Sequence, residues 1–127
     1  MSIVPKSQLF DKLLTQTMTK IKSGSIMILD NNGLKIAEKN EGISDNDQVW
    51  GSANRLIHAG EIAMKELAES SMVNQTFETD NFYLMVGGIN KDMTYAILNP
   101  KAAKQSLGIL RLHAQNLKKE AINIYNT

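Results

Sequence analysis

Apolar positions along this chain change period several times, and each change marks an element. From Ser7 to Lys22, Phe10, Leu13, Leu14, Met18 and Ile21 share one side while Lys12 and Lys20 stand off it, which predicts a helix with one buried face. Ser23-Gly24 ends it, because glycine takes the left-handed closing conformation without a steric penalty. Ser25 to Leu29 is then apolar on both alternating faces, whereas Leu34-Lys35-Ile36-Ala37-Glu38 tends toward alternation. The first strand is therefore expected at the centre of a sheet and the second nearer an edge. Asp30-Asn31-Asn32-Gly33 between them tolerates positive φ and reads as a hairpin turn. A polar loop over 39–46 follows, with Asp45 or Asp47 placed to cap the next helix.

That helix, Asp47 to Ser70, carries Val49, Ala53, Leu56, Ile57, Gly60, Ala63, Met64 and Leu67 as one stripe. A glycine in mid-helix costs about 1 kcal/mol against alanine, so Gly60 with Ala53 and Ala63 implies that something approaches this face closely. Two arrangements fit: the chain's own sheet beneath an ordinary helix, or a second helix. Met72 to Thr79 alternates, with Val73, Gln75 and Phe77 on one side, as an edge strand does. Phe82 to Val86 is apolar on both faces, Met93 to Leu98 follows after a turn, and the links between these runs are too short for a crossover, so the three form an antiparallel meander. Gly87-Gly88 reads as a bulge or bend near a strand end. Asn99-Pro100 supplies a cap and a first-turn proline for the last helix. Its residues Ala103, Leu107, Leu110, Ala114, Leu117, Ala121 and Ile124 alternate small with large and are expected to dock on the sheet, not to form a coiled coil. The expectation is one α/β (α+β) domain over 1–127 in the order αββαβββα. Its five-stranded antiparallel sheet has the middle helix on one face and the two terminal helices on the other.

Composition narrows the function by exclusion. The chain has 127 residues, a net charge of +1 from 14 basic and 13 acidic side chains, and no cysteine. The balance offers no broad basic footprint for nucleic acid, and thiol chemistry, disulfides and thiolate metal sites are absent together. No signal pattern opens the sequence and no apolar run approaches the ~20 residues that span a bilayer, so a cytoplasmic protein without membrane insertion is expected. His58 and His113 have no partner at metal-ligand spacing, Gly87-Gly88 lacks a phosphate-loop context, and no catalytic triad or carboxylate pair can be assembled. No catalytic residue, metal or cofactor is expected. Arg55 and Arg111 are the two arginines and stand as solvated helix positions or as candidate arginine fingers supplied to a partner. Arg55, Ile62, Glu66 and Glu69 project away from the apolar stripe of the middle helix, which makes Ile62 among charges a candidate partner surface.

The Gly24-to-Ala37 hairpin, the helix segment Gly51-Ser52-Ala53-Asn54-Arg55-Leu56-Ile57, the meander closing on Tyr95-Ala96-Ile97-Leu98 and the run Ser106-Leu107-Gly108-Ile109-Leu110-Arg111 together resemble the roadblock/LC7 domains, which include MglB-like proteins and dynein light chains. The resemblance covers nearly the whole chain. It implies a homodimer that pairs the third strand and the middle helix across a two-fold axis, here Val73, Gln75 and Phe77 with Ala53, Gly60 and Ala63. It also implies a platform for a small Ras-like GTPase, acting as activator or scaffold, for which the outward-projecting Arg55, Ile62, Glu66 and Glu69 are the candidate contacts. Alternatives are a structural adaptor subunit of a larger motor or signalling complex, and a small-molecule sensor with a PAS- or GAF-like sheet. Independently of the resemblance, the strand from Val73 to Thr79 looks like an edge without a proline guard, and such an edge is normally paired or covered.

Overall fold

The computed structural model describes residues 4–68 and 74–127. The elements are α1 (Lys6–Ile21), β1 (Gly24–Asp30), β2 (Lys35–Glu41), α2 (Asn46–Ala68), β3 (Asn74–Glu78), β4 (Phe82–Gly88), β5 (Met93–Pro100), a 3-10 turn (Lys101–Ala103) and α3 (Leu107–Tyr125). All strands join one antiparallel sheet in the order β2-β1-β5-β4-β3. The fully apolar strands are central and the alternating ones are the edges, because only a central strand has both faces covered by helices.

Two cores fill the two faces. On one, Phe10, Leu14, Met18 and Ile21 of α1 and Leu110, Ala114, Leu117 and Ala121 of α3 cover Ile26, Ile28, Met85, Tyr95 and Ile97. On the other, Ala53 and Ile57 of α2 cover Met27, Leu29, Val86 and Ala96. Burial holds the Tyr95 hydroxyl above its usual pKa.

Local chemistry sets the joints. Asn32 and Leu34 donate backbone N–H groups to Asp30 Oδ1, both at 2.9 Å, and Gly33 takes φ +81° to close the β1–β2 turn. Asp45 caps α2 by accepting from the Gln48 N–H at 3.3 Å. Lys22 closes α1 with φ 78° and donates to the Met18 carbonyl.

Three sequence expectations are corrected. Lys22, and not Gly24, takes the positive φ that closes α1, while Gly24 opens β1. Asn99-Pro100 does not start the last helix. Asn99 is buried and its amide donates to the carbonyls of Ile21 and Ser23 at 3.1 and 2.9 Å, while Pro100 still pairs opposite Phe82 in β5. Lys104 then turns left-handed, and α3 begins at Leu107 with Ser106 accepting from the Ile109 N–H. The terminal carbonyls of α1 need donors, and the Asn99 amide supplies them better from the sheet than it could as a cap. Gly87-Gly88 is no bulge either: both glycines continue the regular pairing with β5, opposite Tyr95 and Thr94.

A candidate interaction face on α2 and β3

The middle helix presents four distinct lines of side chains, because residues three and four apart share a face. Its underside, Ala53, Ile57 and Gly60, is buried. The helix begins beside β2, where the Lys35 ammonium stands 5.7 Å from the Trp50 ring centre, and by Gly60 it stands over Gln75 on β3. A Cβ at Gly60 would fall 2.2 Å from Gln75 Nε2. The close approach inferred from the small residues is met within this chain by its own sheet, and Ala53 and Gly60, expected at a second copy, are buried on the underside of the helix. With Gly60 already over the last strand, the two turns beyond it have no further strand beneath them. Leu67, expected in the buried stripe, is 79% exposed for that reason.

One flank of α2 is apolar: Val49, Leu56 and Ala63 are half-buried and Leu67 is open. Below this flank the same sheet face continues through Phe77, Leu84 and Leu98, paired across three strands and all half-buried. Beside them runs the outer edge of β3, unpaired at the end of the sheet. The two edges differ. β2 carries Lys35, Glu38, Lys39 and Glu41, charges that deter a further strand, whereas Glu78 is the only charged residue within β3. Gln75 and Phe77 thus lie on the edge strand expected for them, Ala63 is half-buried on α2, and Val73 falls outside the described residues. Leu56, Leu84 and Leu98 complete the patch; the both-face apolarity of β4 and β5 signalled burial without showing that part of that face stays open.

The upper line of α2 is Arg55, Ala59, Ile62 and Glu66, all exposed. Ile62 is 48% exposed and the Arg55 guanidinium donates to Ser52 Oγ at 3.2 Å. Glu69 lies outside the described residues. The opposite flank, Asn54, His58, Glu61 and Lys65, faces the β1–β2 and β4–β5 turns across a hollow of about 400 Å³ that also reaches Asp30, Lys91 and Thr94. Its charges mix in sign, and the Asp30 oxygen that accepts two turn N–H groups is already engaged. The hollow is polar and open, unlike the enclosed apolar cavity that a sensor requires. His58 on α2 and His113 on α3 lie over opposite faces of the sheet, and among the described residues no cluster of three metal-ligating side chains forms. No described helix is long and apolar enough to cross a membrane.

The chain has the roadblock/LC7 fold. It aligns with MglB of Myxococcus xanthus over 99% of this chain and 94% of that one, with a TM-score of 0.84 at 15% identity. It aligns with an MglB structure in a tetrameric arrangement over 98% and 93%, with a TM-score of 0.83 at 14% identity. A roadblock/LC7 domain from Streptomyces avermitilis matches over 92% and 98%, with a TM-score of 0.79 at 18% identity. No family model and no curated protein matches the sequence.

Proposed function

We propose that this chain is a non-catalytic homodimeric regulator or scaffold that binds a small Ras-like GTPase and acts in the cytoplasm. The observation that carries the reading is the coincidence of an unguarded β3 edge with the open apolar flank of α2 and the half-buried Phe77, Leu84 and Leu98 beside it. Pairing two β3 edges about a two-fold axis would extend the sheet and let the second copy's α2 cover this flank. The tetrameric arrangement described for an MglB of the same fold supports self-association. The dimer contact is then Gln75, Phe77 and Ala63, with Leu56 and Leu67 added; Val73, just before β3 in the sequence, is proposed with them. Ala53 and Gly60 support it from beneath.

The exposed line Arg55, Ile62 and Glu66, with Glu69 next along the sequence, remains free in such a dimer and is the proposed GTPase contact. Arg55 acts there as a contact, holding the partner's own catalytic residues in place. Sedimentation equilibrium is expected to give a dimer that Phe77→Asp converts to monomer. Pull-downs with GTPases loaded with GDP or a GTP analogue are expected to depend on the nucleotide and to be abolished by Ile62→Asp. A wild-type monomer at tens of micromolar, as an order of magnitude below which standard-size interfaces hold, refutes the dimer. Capture indifferent to the nucleotide favours a structural adaptor.

A further inference from the structure

The layer formed by α1 and α3 collects charge that the whole chain conceals. α1 and its closing residue carry Lys6, Lys12, Lys20 and Lys22 against Asp11 alone. From residue 101 onward the chain carries Lys101, Lys104, Arg111, Lys118 and Lys119 against Glu120 alone. With 14 basic and 13 acidic residues in all, nine against two here leaves five against eleven elsewhere. Counted by segment, these two stretches carry +7 and the rest of the chain −6; of the acidic residues elsewhere, Glu78 reaches this side to pair with Lys101 and Asp92 to accept from the Tyr125 hydroxyl. Among the described residues Lys101 alone of the nine forms an ion pair, with Glu78 at 2.6 Å. Burial and the neighbouring Lys20 hold His113 below its ordinary pKa.

The outward line of α1 is Lys12, Thr15 and Thr19, opposite its buried stripe, and that of α3 is Gly108, Leu112, Gln115 and Lys119. Leu112 is 57% exposed and Ile109 is 44% exposed, with Arg111 between them in sequence. Two aliphatic side chains thus stand exposed on a surface that is otherwise polar, with basic residues outnumbering acidic ones.

We propose that the α1–α3 layer is a docking surface for an anionic lipid bilayer, with its lysines among the headgroups and Ile109 and Leu112 at the boundary of the acyl chains. Lysines near an anionic leaflet act additively as point charges, and here they outnumber arginine eight to one. Aliphatic groups enter an acyl boundary but give nucleic-acid bases nothing to stack on, which favours lipid over a nucleic acid. The proposal holds for a single copy. Only its doubling rests on the dimer proposed above: pairing β3 edges about an axis perpendicular to the sheet leaves both α1–α3 layers facing the same way.

The test is flotation of the full chain with phosphatidylcholine vesicles, with and without about 30 mol% phosphatidylserine, at about 0.1 M and about 0.5 M salt. Binding is expected only with phosphatidylserine and should be lost at the higher salt. Lys12→Gln with Lys119→Gln should weaken it about 25-fold, the product of two headgroup contacts. Leu112→Ser should weaken vesicle binding while leaving retention on heparin unchanged. Melting curves check that the variants fold, and light scattering of the same samples reports the oligomeric state separately. The proposal is overturned by no flotation with phosphatidylserine at low salt, by equal flotation with phosphatidylcholine alone, or by duplex DNA or polyglutamate competing the protein off vesicles at equal charge while Leu112→Ser changes nothing.

Discussion

Replacing Gly60 with alanine sets two opposing effects against each other at one atom. Alanine in mid-helix is favoured over glycine by about 1 kcal/mol. The added methyl, however, would sit 2.2, 2.3 and 2.4 Å from Nε2, Oε1 and Cδ of Gln75, well inside contact distance. Those atoms end a flexible side chain on an edge strand, and Gln75 Oε1 is buried without a hydrogen-bond partner, so the amide has little to lose by swinging to solvent. Gly60→Ala is therefore expected to be neutral to mildly stabilising in the natural background. With Gln75→Ala the full gain of about 1 kcal/mol should appear, about 4 °C in melting temperature for a chain of this size. Gly60→Leu adds three further carbons to the same crowded spot and should overpack it at a cost of about 1–3 kcal/mol. Urea unfolding of the four alanine-cycle proteins isolates the coupling. A loss above about 1 kcal/mol in both backgrounds would refute Gln75 as the close neighbour. A loss that grows on dilution would place a second copy's helix at Gly60 instead.

Other residues give sharper single outcomes. Asn99→Ala removes both amide donors at the end of α1 and should cost about 1–3 kcal/mol in urea unfolding. Gly33→Ala forces a side chain into φ +81° and onto Asn54 Nδ2, 2.5 Å away; a loss of about 1–2 kcal/mol is expected, which Asn54→Ala relieves only in part because the backbone cost remains. The lowered His113 pKa means that the unfolded chain binds the proton first as pH falls below 6.5, so stability from this group is present above 6.5 and lost below it. His113→Gln should flatten the melting temperature between pH 6.5 and pH 5 relative to the natural chain. In GTP hydrolysis by a cognate GTPase, Arg55→Ala and Arg111→Ala should each lower the stimulated rate less than about tenfold; a loss of ~10³ with binding intact would make that arginine a finger.

The sequence by itself determined most of the elements and the layering from local period: 3.6 for α1 and α2, alternation for β2 and β3, both-face apolarity for β1 and β4; short links made the last three strands antiparallel, while the pairing of β1 with β5 came only from the tertiary structure. It also located β3 as an exposed edge, since charge and proline content are properties of the segment alone. It could not say which neighbour explains Gly60, because a small residue records close approach without recording what approaches, and only the crossing of α2 over β3 supplied Gln75. It misplaced the start of α3, because Asn99 finds its partners at Ile21 and Ser23, more than seventy residues away, and such a long-range bond leaves no trace in local pattern. The same limit hid the charged layer. A net charge of +1 is a sum over the chain, whereas a surface potential depends on position, and α1 and α3 become neighbours only when the sheet between them in sequence has formed.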